Sequence, residues 1–262
     1  MLSEDEIFNF AQELIEAEES AIPVEPLTER MEITLEDAYR IQLEIVKIKK
    51  GKGQREVGKK IGLTSKRMQH AFNVSQPDYG HIMDRMIVDE GTPIRLSELI
   101  QPKIEAEIGF VLSTDLGGPG VTAMDVLRCS VGVVPTFEIV DSRIRDWKIK
   151  IQDSIADNAS IGRVVAGAKM TEVFEIDLRT VGLIVRKNGE LLETAAGAEV
   201  LGNPAQSVAW LVNKLSEYGV SLRAGELVIS GSLISPIEVN EGDVIQAEFG
   251  DGIGGVVASF RK

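Results

Sequence analysis

Residues 102–110 read PKIEAEIGF, and their polar and apolar side chains alternate strictly. Because successive side chains of a β-strand point to opposite faces, this stretch predicts a strand with Glu105 and Glu107 on one face. Residues 131–140, VGVVPTFEIV, are apolar enough to form a second, buried strand, and they contain Glu138. We therefore expect a β-rich core that carries carboxylates close to its interior.

Short β-like stretches separated by Gly, Pro and Asp continue on the C-terminal side, at residues 180–187, 226–230 and 243–249. Helical signals surround them. Ser3 with Glu6 is a capping box, Thr34 with Asp37 begins a second helix, and further helices are predicted over 122–129 and from Asn203-Pro204 onward. The basic, glycine-punctuated run from Lys47 to Lys60 predicts a turn.

The order of these elements is not a regular alternation of strand and helix, which favours an α+β fold over a doubly wound sheet or an α/β barrel. We expect one domain over residues 1–262, with an N-terminal helical segment at 1–65 and a β-rich catalytic core at 66–262.

The composition excludes several classes of function. Twenty-eight basic and 41 acidic residues give a formal charge of −13, which opposes binding to nucleic acid. One cysteine cannot form an intramolecular disulfide, the start MLSEDE is unlike a secretory signal, and no apolar run approaches the roughly 18 residues of a membrane span. We expect a cytoplasmic location and no membrane partner.

Two glycine motifs are misleading. Residues 250–255, GDGIGG, have the spacing of a dinucleotide loop, but only seven residues follow, too few for the helix and the acidic ribose ligand. A turn between two terminal strands is the better interpretation. Residues 53–59 resemble a phosphate loop, but Lys60 stands where a hydroxyl should bind magnesium.

Glu138 inside a buried strand is costly unless something compensates its charge. Three compensations are open: a lysine or arginine partner, a raised pKa, or a cation shared with Glu105 and Glu107. Three carboxylates suit Mg²⁺ or Mn²⁺ and leave coordination positions for substrate, whereas a solvated strand face is the alternative for the Glu105 and Glu107 pair. One cysteine and two histidines, His70 and His81, disfavour zinc and a Ser-His-Asp triad.

Several strings together resemble the 2-hydroxypenta-2,4-dienoate hydratases (2-oxopent-4-enoate hydratases) of the fumarylacetoacetate hydrolase superfamily. They are VGKKIGLTS (57–65), QPDYG (76–80), QPKIEAE (101–107), DSRIRDW (141–147), ADNAS (156–160) and SGS (230–232). The resemblance implies an α+β fold with a mixed β-roll core of the fumarylacetoacetate hydrolase C-terminal type. It also implies a metal-dependent hydratase of aromatic meta-cleavage catabolism that converts 2-hydroxypenta-2,4-dienoate to 4-hydroxy-2-oxopentanoate.

The same resemblance implies roles for particular residues. Mg²⁺ or Mn²⁺ would be held by Glu105, Glu107 and Glu138. Lys60 and Asp78 would be catalytic, although from the residues alone an exposed lysine and a Pro-Asp turn are the simpler interpretations. Substrate contacts are implied for Leu63, Ser160, Gly231 and Ser232.

Related activities stay open at this stage. A 4-oxalocrotonate decarboxylase and a 2-oxohept-4-ene-1,7-dioate hydratase share the chemistry, whereas a C–C hydrolase would need a histidine beside the metal, and a non-catalytic scaffold would need no metal. The expected partner is a small 2-hydroxydienoate or 2-oxo acid. A homo-oligomer is favoured, and association with a sister decarboxylase or a downstream aldolase is a further expectation.

Overall fold

The computed structural model describes residues 1–262, apart from the side chain of Ala71. The helices are α1 (Glu4–Ser20), α2 (Leu27–Arg30), α3 (Leu35–Gly51), α4 (Lys66–Ala71), α5 (Ala123–Cys129), α6 (Ile151–Ala156) and α7 (Pro204–Ser216). The strands are β1 (Glu56–Gly62), β2 (Asp78–Met83), β3 (Ile87–Asp89), β4 (Ile94–Arg95), β5 (Lys103–Leu112), β6 (Ser130–Val140), β7 (Ile161–Ala166), β8 (Gly182–Lys187), β9 (Glu190–Ala196), β10 (Leu227–Ile229), β11 (Ile237–Glu238), β12 (Val244–Phe249) and β13 (Gly254–Arg261).

The larger sheet is mixed and has the strand order β2-β1-β10-β5-β6-β7-β3. Strand β11 pairs with the N-terminal end of β5. Its centre is the long antiparallel pair of β5 and β6, which are the two strands predicted from residues 102–110 and 131–140. Parallel pairing of β1 with β10 and of β3 with β7 makes the sheet mixed.

The second sheet has the order β4-β13-β12-β8-β9 and packs on the first through β13, which lies against β6 and β7. The main hydrophobic core fills the space between the sheets, with Phe110 and Phe137 from the first and Ile245 and Phe260 from the second. Each such buried side chain contributes about 1.5–3 kcal/mol. The core therefore fixes the backbone of β5 and β6 from one side.

The N-terminal helices have a core of their own, in which Phe10 and Leu14 of α1 meet Ile41 of α3 and Ile155 of α6. The predicted capping box is present at the start of α1, and α3 begins after Thr34 as predicted, with a capping box there as well. The buried Gln42 of α3 donates from Nε2 to the carbonyls of Tyr79 (2.9 Å) and Ile155 (2.8 Å). The helical layer is thereby tied to β2 and α6, which both carry residues of the site described below.

One element prediction is wrong. The run Lys47–Lys60 is not a turn, because α3 continues to Gly51 and β1 begins at Glu56. Lys59 and Lys60 are both buried in β1, at 3% and 4% exposure. Each ammonium pairs with a carboxylate, Lys59 with Glu56 and Lys60 with Glu138. Because Glu138 lies far away in the sequence, the local composition suggested that Lys60 is exposed to solvent. By contrast, residues 250–253 do connect β12 to β13 as a turn, as predicted.

Within the described residues, no helix combines the length and the apolarity needed to cross a bilayer.

Candidate active site

Three glutamates converge on one face of the central strand pair. Glu105 and Glu107 are two residues apart on β5 and share a face, and Glu138 of β6 lies directly opposite Glu105 in the antiparallel register. One carboxylate oxygen from each of the three lies within 4.8 Å of the others. The face predicted from alternation therefore holds a carboxylate cluster rather than a solvated pair.

The cluster carries more negative charge than its surroundings compensate. Glu107 and Glu138 are completely buried. Among the described residues, Glu107 Oε1 and both oxygens of Glu138 accept no hydrogen bond, although Glu107 Oε2 accepts one from the Gly231 amide at 2.8 Å. Burial and then Glu138 raise the pKa of Glu105 to about 8, and burial raises the pKa of Glu107 and of Glu138 as well. Unpartnered buried oxygens of this kind fit a hard divalent cation.

Lys60 supplies a positive charge to this cluster. Its Nζ lies 2.9 Å from Glu138 Oε1 and donates a hydrogen bond to the Ala159 carbonyl at 3.0 Å. Burial alone would lower the pKa of Lys60, but Glu138, Asp78 and the other two glutamates together raise it. Lys60 is therefore a fixed cation in a buried strand, not an exposed lysine in a turn.

Asp78 is the first residue of β2 and lies opposite Gly62 of β1, beside the Lys60 ammonium. It is 2% exposed. Its Oδ2 accepts a hydrogen bond from Ser154 of α6 at 3.3 Å, and its Oδ1 has no hydrogen-bond partner among the described residues. Burial raises the pKa of Asp78 against the opposing effect of Lys60. Such a carboxyl is suited to hold and release a proton.

These groups border one cavity of about 100 Å³. Its polar lining includes Lys60, Asp78, Glu105 and Ser154, and its apolar wall includes Leu63, Met68, Val140, Trp147, Ile149 and Ile234. An anionic head group would therefore meet charge at one side of the cavity, and a hydrocarbon tail would meet apolar surface at the other.

The remaining residues implied by the resemblance are also near this cavity. Leu63, Ser160 and Ser232 line it, whereas Gly231 contacts the cluster through its backbone amide. Gly231 has φ +105°, and a Cβ there would lie 2.2 Å from Thr64 Oγ1, so a glycine is required at this approach. The Ser160 hydroxyl donates to Asp157 and can accept a hydrogen bond, whereas the Ser232 hydroxyl donates to the Ile234 carbonyl and already accepts from the Ile234 amide, which leaves it one lone pair.

Neither histidine is a member of this group. His81 is buried on β2 with Nδ1 2.6 Å from Glu56 Oε1, and His70 lies on α4. In the described part of the chain, neither side chain lines the cavity. This arrangement speaks against a hydrolase that uses a histidine beside the glutamates.

Two contributors were missed by reasoning from the residues. Ser154 lies on a six-residue helix without any local motif, and the Ala159 contribution is a backbone carbonyl that no side-chain pattern reveals. The only sequence signal for Ala159 is the string at residues 156–160, which resembles the hydratase family, and Ser154 lies outside that string.

Comparison with known proteins identifies the family. Residues 48–261 match the family described as "Fumarylacetoacetate (FAA) hydrolase C-terminal". The chain belongs to this fumarylacetoacetate hydrolase family. The expected α+β fold, with helices preceding a β-rich core, is therefore confirmed.

Relatives within the family are similar over most of their length. A 2-hydroxypent-2,4-dienoate hydratase of Pseudomonas putida is 48% identical, covering 82% of this chain and 98% of the relative. A 2-hydroxyhexa-2,4-dienoate hydratase of Comamonas testosteroni is 47% identical, covering 88% and 89%. The solved structure of a 4-oxalocrotonate decarboxylase from Pseudomonas putida G7, complexed with magnesium and adipate, has a TM-score of 0.96 at 38% identity and covers 99% of both chains.

Proposed function

We propose that this protein is a metal-dependent hydro-lyase that adds water to 2-hydroxypenta-2,4-dienoate and gives 4-hydroxy-2-oxopentanoate in aromatic meta-cleavage catabolism. The observation that carries the proposal is the cluster of Glu105, Glu107 and Glu138, with unpartnered buried oxygens, beside a cavity that also holds Lys60 and Asp78. Relatives named as hydratases at 47–48% identity support the same activity.

Glu105, Glu107 and Glu138 would hold one divalent cation, Mg²⁺ or Mn²⁺. When bound, such an ion acts as a Lewis acid for the carboxylate and the 2-oxygen of a 2-oxo acid. Magnesium in the structure of the related decarboxylase supports Mg²⁺. The choice of Mn²⁺ follows only from the hard oxygen ligands, which suit both ions.

Lys60 would be a permanent cation in this reaction. Its raised pKa keeps the ammonium charged, and the ammonium forms an ion pair with Glu138 while it donates one hydrogen bond to the Ala159 carbonyl. A further N–H is available to an anionic oxygen of the substrate. This favours Lys60 as an electrostatic anchor for the charge that develops on the 2-oxygen, rather than as the group that delivers a proton.

Asp78 would move the protons. As a carboxylic acid it protonates C5 of the dienol while the 2-hydroxyl proton passes to solvent, which gives the α,β-unsaturated 2-oxo acid. Asp78, then ionised, takes a proton from the water that attacks C4 and returns it to C3. It finally regains one proton from solvent, equal to the one that the 2-hydroxyl released, so the net change is the addition of one water. Its free Oδ1 and raised pKa support both roles, and a proton transfer of this kind typically contributes 10²- to 10⁴-fold in rate.

The substrate contacts complete the proposal. Leu63 would cover part of the hydrocarbon tail, Ser160 and Ser232 would accept hydrogen bonds in the cavity, and Gly231 would orient Glu107. We also propose a cytoplasmic homo-oligomer that associates with a sister decarboxylase or a downstream aldolase. Sedimentation of the purified protein, alone and with those enzymes, measures both assemblies.

A decarboxylase is the second candidate, because the fold match to the 4-oxalocrotonate decarboxylase is nearly complete. The test is to supply 2-hydroxypenta-2,4-dienoate and 4-oxalocrotonate separately with Mg²⁺ and to follow ultraviolet absorbance and CO₂. We expect rapid loss of the dienoate chromophore without CO₂. Release of CO₂ from 4-oxalocrotonate, with the dienoate untouched, would replace the hydratase by the decarboxylase.

A further inference from the structure

The turn that carries the Ala159 carbonyl has an unusual backbone. Asn158, Ala159 and Ser160 have φ of 53°, 51° and 56°, so three consecutive residues other than glycine adopt the left-handed conformation. L-residues disfavour this region, and a run of them persists only where the surrounding structure holds it. The turn bears directly on the site, because its Ala159 carbonyl accepts the hydrogen bond of Lys60 and its Ser160 lines the cavity.

Arg143 holds both ends of this turn. Its Nη2 donates to the carbonyl of Asp157, just before the turn, at 2.5 Å, and its Nη1 donates to the carbonyl of Ile161, just after it, at 2.8 Å. Its Nε donates to Asp157 Oδ1 at 2.5 Å. Arg143 is 3% exposed and Asp157 is completely buried. A planar guanidinium can bridge two carbonyls and a carboxylate at once, which a lysine ammonium cannot do in the same geometry.

On the side away from Arg143, a glycine in β2 lets the turn approach β2 and Lys60 closely. A Cβ added to Gly80 of β2 would lie 2.5 Å from the carbonyl oxygen of Asn158 and 3.1 Å from Cγ of Lys60. The Asn158 side chain adds a second attachment there, since it accepts from the amide of His81 at 2.8 Å and donates to its carbonyl at 2.9 Å. The turn is thus held by Arg143 from one side and seated against β2 on the other.

We propose that Arg143, acting with Asp157, is a positioning residue for Lys60: it holds the left-handed turn 158–160 so that the Ala159 carbonyl fixes the ammonium beside Glu138 and the cavity. This inference rests on the proposed function, in which Lys60 stabilises charge on the substrate. Arg143 touches neither the glutamate cluster nor the cavity, and apart from the Asp141 carbonyl its hydrogen-bond acceptors are at the two ends of the turn. The close contact of Asn158 with Gly80 also holds the turn in this position.

The turn can be displaced in two independent ways. Arg143→Lys keeps the positive charge but cannot bridge both ends, and Gly80→Ala pushes mainly on the Asn158 carbonyl and less closely on Lys60 Cγ. Two matched controls make the same chemical changes elsewhere: Arg145→Lys, at an exposed side chain paired with Glu25, and Gly182→Ala, where a Cβ would meet nothing within 4 Å.

For each variant and for the double variant Arg143→Lys/Gly80→Ala, we would measure kcat, KM, the Mg²⁺ dissociation constant by calorimetry, and the unfolding temperature. We expect each single variant to lose kcat by about 10²-fold, the cost of a small misplacement in an active site. The Mg²⁺ dissociation constant should stay unchanged, because the glutamates are not moved. The double variant should fall no further than the worse single variant, since both changes displace one turn. The controls should keep full kcat.

A merely structural role for Arg143 would lower the unfolding temperature and leave kcat of the folded protein unchanged, and that result would overturn the inference. Multiplicative losses in the double variant would overturn it as well. If Arg143→Lys does not fold, Asp157→Asn gives the decision from kcat and Mg²⁺ affinity, because it removes the charge that Arg143 Nε binds. A wild-type protein that turns over neither 2-hydroxypenta-2,4-dienoate nor 4-oxalocrotonate would instead overturn the proposed function, and this inference with it.

Discussion

Lys59 and Lys60 are neighbours on β1, both are buried, and as consecutive strand residues they face opposite sides of the sheet. On the Lys59 side, Glu56 contacts the ammonium groups of Lys59 and Lys50 and lies 2.6 Å from His81 Nδ1. Although burial opposes it, His81 and the lysines hold the pKa of Glu56 below its ordinary value. Each oxygen of the Glu56 carboxylate therefore has a partner.

The Lys60 side has the opposite balance. One ammonium faces Glu138, Glu105, Glu107 and Asp78, and burial raises the pKa of all four carboxyl groups. Buried charge by itself therefore does not indicate function. The distinguishing features are an excess of carboxylates over cations and carboxylate oxygens without hydrogen-bond partners.

The largest expected effect comes from removing one carboxylate on each side. Glu138→Gln should abolish turnover, a loss of at least about 10²- to 10³-fold, and weaken Mg²⁺ binding, while the protein stays folded. Glu105→Gln should behave alike. The control Glu56→Gln should keep kcat and instead lower the free energy of unfolding by about 3 kcal/mol, because it removes the nearest carboxylate of the buried Lys59 ammonium. Equal kcat in Glu138→Gln and Glu56→Gln would mean that the Lys60 side is no more important for catalysis than the Lys59 side.

The next effect concerns proton transfer and anchoring. Asp78→Asn and Lys60→Ala should each lower kcat by about 10²- to 10⁴-fold with near-normal Mg²⁺ affinity, since neither residue belongs to the cluster of three glutamates. Lys59→Ala is the matched control and should cost stability rather than rate. Steady-state kinetics together with calorimetric titration of Mg²⁺ separate these outcomes. Wild-type rates in both site variants would leave Lys60 and Asp78 as structural residues.

Metal removal should act on one side only. At a Mg²⁺ concentration 100 times the dissociation constant, the free energy of unfolding should exceed that of EDTA-treated protein by about 2.7 kcal/mol. Glu56→Gln should keep this increment and Glu107→Gln should lose it. Urea denaturation with and without Mg²⁺ gives the comparison, and an increment that survives in Glu107→Gln would place the ion elsewhere.

The smallest effect is a pH dependence of metal affinity. Because the pKa of Glu105 is about 8 before metal binds, this carboxyl holds a proton at neutral pH that a cation must displace. Burial raises the pKa of Glu107 too, so Mg²⁺ affinity should fall as the pH decreases from 8 to 6, by at most about tenfold per unit for each proton that the cation displaces. Calorimetry in buffers of different ionisation enthalpy counts the released protons. Affinity independent of pH would mean that Glu105 is already ionised.

The strands that carry the glutamates were predictable from the sequence, because alternation in residues 102–110 and the apolar run 131–140 are local signals. The register that sets Glu138 opposite Glu105 is not local, and only the structure supplies it. Strand β1 was missed because a lysine pair suggests solvent. Its burial depends on Glu138, which joins the sheet about eighty residues later in the chain.

Backbone contributions were equally hidden. The left-handed turn at 158–160 contains no glycine, and the contacts that hold it, from Arg143 and Asp157 and between Asn158 and His81, are tertiary. The wall of the cavity combines residues of the β1–β2 connection with others near Trp147 and Ile234, which meet only after the sheets have formed. Tertiary contacts of this kind leave no periodic pattern in a single sequence.

The central claim is that Glu105, Glu107 and Glu138 bind a hard dication with open coordination positions. The most direct test is to titrate Mn²⁺ into EDTA-treated protein and follow water-proton relaxation, then add oxalate, a chelating analogue of a 2-oxo acid. We predict one tightly bound ion per chain, enhanced relaxation that decreases when oxalate displaces water, and loss of the tight site in Glu138→Gln. Absence of a tight site in the wild-type protein, or equal binding by Glu138→Gln, would contradict the claim.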